Sequence, residues 1–202
     1  MVNYLFAVLL GYLLGCSNMA LYLSWAKGFD LRETGSGNPG ASNAMVSMGW
    51  GSGVAVALHD MGKAALAVYL ARRFFPAAYA GEIAAAGCVL GHMYPIFFGF
   101  RGGKGFASYM GALLMLDWKA ALSMMLLCAI VTLVTDYIAL ATLTAIILTP
   151  LHLCFSCGLV PALCMLIPSL AMLWKHRENI RRIREGTEIG LRKANRGEGR
   201  VK

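Results

Sequence analysis

The sequence predicts an all-α integral membrane protein with seven transmembrane helices, several of them short. Three observations carry that prediction. First, 58% of the 202 residues are hydrophobic, 14% are charged, and the mean hydropathy is +0.63. Soluble domains are nearer half apolar and about a quarter charged. The same numbers exclude a disordered chain. Seven segments of about 20 residues would leave little chain for a large extramembrane domain. Second, apolar runs alternate with short polar stretches. Third, the basic residues are distributed asymmetrically about those runs.

Residues 4–25 form an uncharged run that reads as a retained first helix, since it lacks the basic flank of a cleavable signal. Residues 27–43 are dense in Gly, Ser and Asn and read as a loop. A second span covers 44–69, interrupted by His59, Asp60 and Lys63 and closed by Arg72 and Arg73. A third covers 83–100, and a Gly-rich basic loop occupies 99–105. From 106 to 174 only Asp117, Lys119 and Asp136 are charged. Breaks around Asp117, around Asp136 and near Cys157 and Gly158 divide this stretch into four helices, giving seven spans. Residues 1–174 thus read as a polytopic domain and 175–202 as a basic tail. The tail carries ten of the eighteen Lys and Arg residues against four acids.

The two Gly-rich loops and the tail together hold fourteen basic residues, whereas the opposite loops hold Arg72, Arg73 and Lys119. The positive-inside rule therefore puts the Gly-rich loops and the tail in the cytoplasm and the N-terminus outside, which demands an odd number of spans. Nucleic acid is the competing partner for a basic tail. In a membrane chain the lipid bilayer, with its anionic headgroups, is the expected partner instead, and no nucleic acid. All six cysteines lie in apolar runs, Cys154 and Cys157 as a C-x-x-C, and read as small apolar residues. No metal and no cofactor is called for.

Polar residues beside a bilayer are functional candidates, and they gather in three places. The first is G-S-G-N-P-G-A-S-N at 35–43, with Ser36, Gly37, Asn38, Ser42 and Asn43. Its glycines suit close ligand approach, and its hydroxyls and amides suit a polyol or phosphate. An ordinary turn with Ser42 or Asn43 capping the next helix fits equally well. The second is 91–105, from His92 through Arg101, Gly102, Gly103 and Lys104. A G-G-K-G before a helix suits phosphate, although it lacks the Walker A frame. Lys104 alone could be a positive-inside anchor, and His92 a satisfied helix histidine. The third is 175–188, where His176 and Asn179 share one helical face with Ile180 and Ile183. A surface-lying basic helix explains the arginines there but not that pair.

Together these motifs resemble the bacterial membrane family of acyl-phosphate:glycerol-3-phosphate acyltransferases (the PlsY type). The matching segments are 35–43, Asp60 to Lys63, 91–108 and 176–188. The resemblance implies a seven-helix bacterial inner-membrane enzyme with a cytoplasmic-face site. Such an enzyme moves a fatty acyl group from acyl phosphate to the 1-hydroxyl of sn-glycerol 3-phosphate, giving lysophosphatidic acid for phospholipid synthesis. It also implies transient contact with the enzyme that makes acyl phosphate. By that similarity Ser36, His176 and Asn179 are catalytic. The same similarity puts Gly102, Gly103 and Lys104 on the phosphate-binding loop and makes Glu188 structural, and the motifs' own backbone, amides and charges add Gly37, Asn38, Asn43, Lys63 and Arg101 as substrate- or phosphate-binding candidates. The chain departs from the pattern at Val46 and Asp136, where arginines are usual, and at Ala64 and Ala139. A small-anion transporter, a divergent paralogue with another substrate and a noncatalytic scaffold are the alternatives.

Overall fold

The computed structural model describes residues 1–192. Those residues are all helical apart from turns and loops: α1 (Val2–Gly15), α2 (Met19–Ala26), α3 (Ala41–Met48), α4 (Trp50–Phe74), α5 (Ala80–Met93), α6 (Phe106–Leu116), α7 (Trp118–Thr135), α8 (Ile138–Ser156), α9 (Leu159–Lys175) and α10 (Arg177–Arg184). Five segments are long and apolar enough to cross a membrane, with α1 and α2 counted as one. A sixth is added if α9 and α10, bent by 44°, form one broken span, and α6 is a shorter apolar helix. Residues 193–202 of the expected tail lie outside the described residues.

The expected breaks around Asp117, Asp136 and Cys157 are where helices end. Asp117 caps α7 by accepting the Ala120 amide at 3.0 Å, Asp136 closes α7 in a left-handed conformation, and Gly158 separates α8 from α9. Other boundaries differ from expectation. The first apolar run breaks at residues 16–18, because the Asn18 side chain accepts the Leu21 amide and starts a new helix. The span expected at 44–69 is two helices, α3 and α4, parted at Gly49 (φ 92°), and α4 runs on to Phe74. The span expected at 83–100 is α5 followed by a short turn at Ile96–Phe98.

Small residues let α1 and α5 pack backbone to backbone. A Cβ on Gly11 or Gly15 would strike the carbonyls of Ala84 or Cys88, and one on Gly91 the Tyr12 carbonyl. Where lipid tails replace water, such close van der Waals packing is the main source of helix association. The central core joins α4 to α9 through Ala67, Val89, Tyr109, Leu113, Leu153 and Met165. The bundle's outside is apolar too, with Leu58, Leu126, Leu133, Phe155 and Leu170 exposed, as lipid contact requires. Helix α10 is the exception, carrying Arg181, Arg182 and Arg184 in its last turn.

Candidate active site

Loop 1 is shaped by side chains that hold its own backbone. Asn18 donates to the Pro39 carbonyl at 3.2 Å, and the Ser24 hydroxyl accepts the Leu31 amide at 3.3 Å. Asn43 is buried and fully engaged. It donates to the carbonyls of Leu31 and Thr34, and its oxygen accepts the Ser36 amide at 3.1 Å. Asn43 therefore positions Ser36 rather than reaching for a ligand. Neither it nor Ser42 caps α3, whose N-cap is Gly40. The Ser36 hydroxyl makes no hydrogen bond among the described residues.

The second loop departs further from expectation. The amides of Gly102 and Gly103 donate to the carbonyls of Met93 and His92, at 3.3 and 3.1 Å. They are thus not free to cradle phosphate. The glycines serve packing: a Cβ on Gly102 would strike the His92 carbonyl, and one on Gly103 the His92 ring. Lys63 is also displaced from its expected role. Its ammonium is buried and donates to the Ser17 carbonyl (2.6 Å), Asp60 (2.7 Å) and His92 Nδ1 (2.9 Å). That set leaves Lys63 no spare donor direction toward a ligand and ties α4 to α5 directly beneath Gly103.

Lys104, the next residue, does reach the site. Its ammonium donates to Asn179 Oδ1, whose amide in turn donates to Glu188 at 2.6 Å. The second Glu188 oxygen pairs with Arg182 at 2.6 Å. Burial, aided by Arg182 and opposed by Glu188, lowers the Lys104 pKa to about 8. His176, one residue past α9, donates from Nδ1 to the Met172 carbonyl at 2.8 Å. That bond fixes the tautomer and leaves Nε2 as an acceptor.

These groups surround one cleft of about 490 Å³. Ser36, Asn38, Asn43, Lys104, His176, Asn179 and Glu188 line it, as expected of one site. Its other side is apolar, with Val46, Trp50, Val54, Phe106, Ile138 and Ala139. Gly37, Arg101 and Gly102 face a separate cavity instead. Asp60, His92, Thr142 and Arg182 also line the cleft and were missed as site residues. Arg182 had a signal, the last position of the His176–Arg182 motif. Thr142 sits in an apolar helix and had none. Val46, in place of an arginine, extends the apolar wall. Asp136 holds the end of the strap 186–192 by accepting the Arg192 amide at 2.9 Å.

Fold and cleft together define an integral membrane protein, an apolar helix bundle with a polar, hydrogen-bonding chamber that Lys104, Arg182, His176 and Asn179 line. The chain belongs to the glycerol-3-phosphate acyltransferase family, whose model matches residues 5–186. It is 39% identical to the glycerol-3-phosphate acyltransferase of Rhodopseudomonas palustris (strain BisB5), over 94% of this chain and 98% of that one. It is 38% identical to a glycerol-3-phosphate acyltransferase of Thermus thermophilus, over 91% and 93%. Among solved structures it resembles PlsY, an integral membrane glycerol 3-phosphate acyltransferase, in its glycerol 3-phosphate form. The TM-score is 0.87 at 34% identity, covering 93% of this chain and 95% of that one. The lysophosphatidic acid form of PlsY gives a TM-score of 0.83 at 33% identity, covering 93% and 94%.

Proposed function

We propose that the protein transfers a fatty acyl group from acyl phosphate to the 1-hydroxyl of sn-glycerol 3-phosphate, producing lysophosphatidic acid. The observation that carries this is one cleft with a polar, hydrogen-bonding side that carries Lys104 and Arg182, and an apolar side. A phosphate-bearing amphiphile presents both characters.

Lys104 and Arg182 hold phosphate and stabilise the charge that develops in the transition state. Ser36, Asn38 and Asn179 orient the acceptor glycerol, and much of the rate enhancement comes from that orientation. The acceptor oxygen forms the new bond to the acyl carbonyl carbon, the bond from that carbon to the phosphate oxygen breaks, and inorganic phosphate leaves. His176 Nε2 takes the hydroxyl proton as general base. The acyl chain lies along Val46, Trp50, Val54 and Phe106 toward the bilayer.

The same proposal covers topology. Counting α1 with α2, then α4, α5, α6, α7, α8 and α9, the chain crosses seven times, with the N-terminus outside and the tail (175–202) cytoplasmic beside the polytopic domain (1–174). Both Gly-rich loops and α10 contribute to one cleft, which an odd count accommodates. The membrane is the bacterial inner membrane, and the enzyme that makes acyl phosphate is a transient partner. The test is acyl transfer by purified protein, comparing acyl phosphate with acyl-CoA and glycerol 3-phosphate with glycerol. Labelled lysophosphatidic acid is expected only with the first of each pair, and transfer from acyl-CoA alone would overturn the donor assignment.

A further inference from the structure

The three motif segments present alternate residues to two cavities. Ser36, Asn38, Lys104, His176 and Asn179 face the cleft, whereas Gly37, Arg101, Lys175 and Arg177 face a second cavity of about 340 Å³. The two linings share no residue. The second cavity holds four cationic side chains, Arg32, Arg101, Lys175 and Arg177, and no carboxylate lines it.

The four are not equally compensated. Arg32 is neutralised by Asp30, at 2.6 Å for the closest pair. The Lys175 ammonium donates to the carbonyls of Met93 (2.6 Å), Gly102 (3.1 Å) and Gly103 (3.0 Å). Carbonyls fix its position without cancelling its charge. Arg177 donates to the Trp174 carbonyl at 3.0 Å, and its guanidinium lies 4.5 Å from the Trp174 ring centre. The Arg101 side chain makes no hydrogen bond or ion pair among the described residues, and it is exposed. Three full positive charges therefore border one cavity with no acid among them. Gathering like charges costs free energy unless an anion sits between them. The rim includes the exposed aromatics Phe100 and Trp174, of the kind that sit at a membrane–water boundary.

We propose that this cavity is a second anion site, for a phosphate-bearing group, separate from the acyl-transfer cleft. The guanidinium forks of Arg101 and Arg177 match phosphate oxygens, while the Lys175 ammonium, its three donors already spent on carbonyls, adds charge alone. The source is either a lipid headgroup phosphate moving along the surface or soluble phosphate.

The test is calorimetric titration of purified full-length protein with inorganic phosphate. Two sites are expected. R101Q/R177Q should weaken one of them at least about tenfold, corresponding to loss of charge-assisted contacts, and K104M should weaken the other. R101Q alone, at an exposed and unpartnered side chain, should weaken the first site while leaving the fold intact. The same titration in nanodiscs, with and without phosphatidylglycerol, distinguishes the sources. If the headgroup is the occupant, phosphatidylglycerol displaces phosphate from the arginine-dependent site, and native mass spectrometry finds more of it retained by the wild type than by R101Q/R177Q. If soluble phosphate is the occupant, phosphatidylglycerol changes nothing at that site. Phosphate binding and lipid retention both unaffected by R101Q and R101Q/R177Q would overturn the proposal. If K104M left phosphate binding unchanged while the arginine variants weakened it, the cleft assignment would fail and this site would stand.

Discussion

Glu188 accepts a 2.6 Å hydrogen bond from the Asn179 side-chain amide, and that contact decides which way the amide points. With Nδ2 held by the carboxylate, Oδ1 turns to Lys104. The same carboxylate pairs with Arg182, so one acid orders three cleft residues. Glu188→Gln keeps the shape but loses the negative charge that props up Lys104 protonation. The alkaline limb of kcat/KM should move to lower pH, and turnover should fall roughly tenfold as the Arg182 contact weakens. A pH–rate profile unchanged from wild type would show that Glu188 does not act on Lys104.

On the proposed mechanism Lys104 itself should set the wild-type alkaline limb. Its pKa, lowered to about 8 chiefly by burial, lies below the usual lysine range, so its charge is present below that pH and lost above it. The kcat/KM for glycerol 3-phosphate should decline as pH rises through about 8. Bound phosphate favours the charged form, so the limb in kcat should lie higher. Lys104→Ala should raise KM and lower turnover while the protein stays folded. Wild-type kinetics in a folded preparation would remove Lys104 from the site.

Lys63 is expected to act on stability first. Lys63→Met leaves the Asp60 carboxylate, 2% exposed, without its cation. Such a loss costs about 3–5 kcal/mol. The double variant Asp60→Asn with Lys63→Met removes both charges and should recover much of the melting temperature in detergent. A loss in the double variant equal to the sum of the Asp60→Asn and Lys63→Met losses would deny the coupling.

Topology can be read by single-cysteine labelling after replacing the native cysteines. Positions 33, 101, 119 and 185 are exposed. Positions 103 and 190 are unsuitable, since a Cβ there would meet the His92 ring and the Asp136 carboxylate. Labels at 33, 101 and 185 should react from the cytoplasm and the label at 119 from outside. Opposite-side labelling at 185 would make the count even and break the seven-span proposal.

The helix breaks at Asp117 and Asp136 were legible because a lone acid in an apolar run has few other roles. The meeting of Ser36, Lys104, His176 and Asn179 was legible through motif order. What escaped was direction. Spacing shows that Gly102 and Gly103 permit close approach, but not that their amides turn toward α5 and away from the cleft. Spacing places Lys63 one turn from Asp60, but not whether the ammonium points inward. Asn43 looked like a ligand group because an amide that satisfies its own loop has the same composition as one that serves a substrate. The break at residues 16–18 depends on one asparagine in a long apolar run, and hydropathy averages it away.

Helix α6 has 11 residues, about 16 Å of rise, roughly half the thickness of bilayer hydrocarbon, and Lys104 lies two residues before it. Centred in the hydrocarbon, as its place in the proposed seven-span topology requires, such a helix would set the lysine below the surface on which lipid phosphates lie. The two reactants then make unequal journeys. On the proposed reaction the fatty chain would slide in sideways at its own depth without meeting water, whereas the small soluble partner would have to descend and shed its hydration shell on the way. Selectivity for that partner would be imposed during the descent, ahead of any bond making.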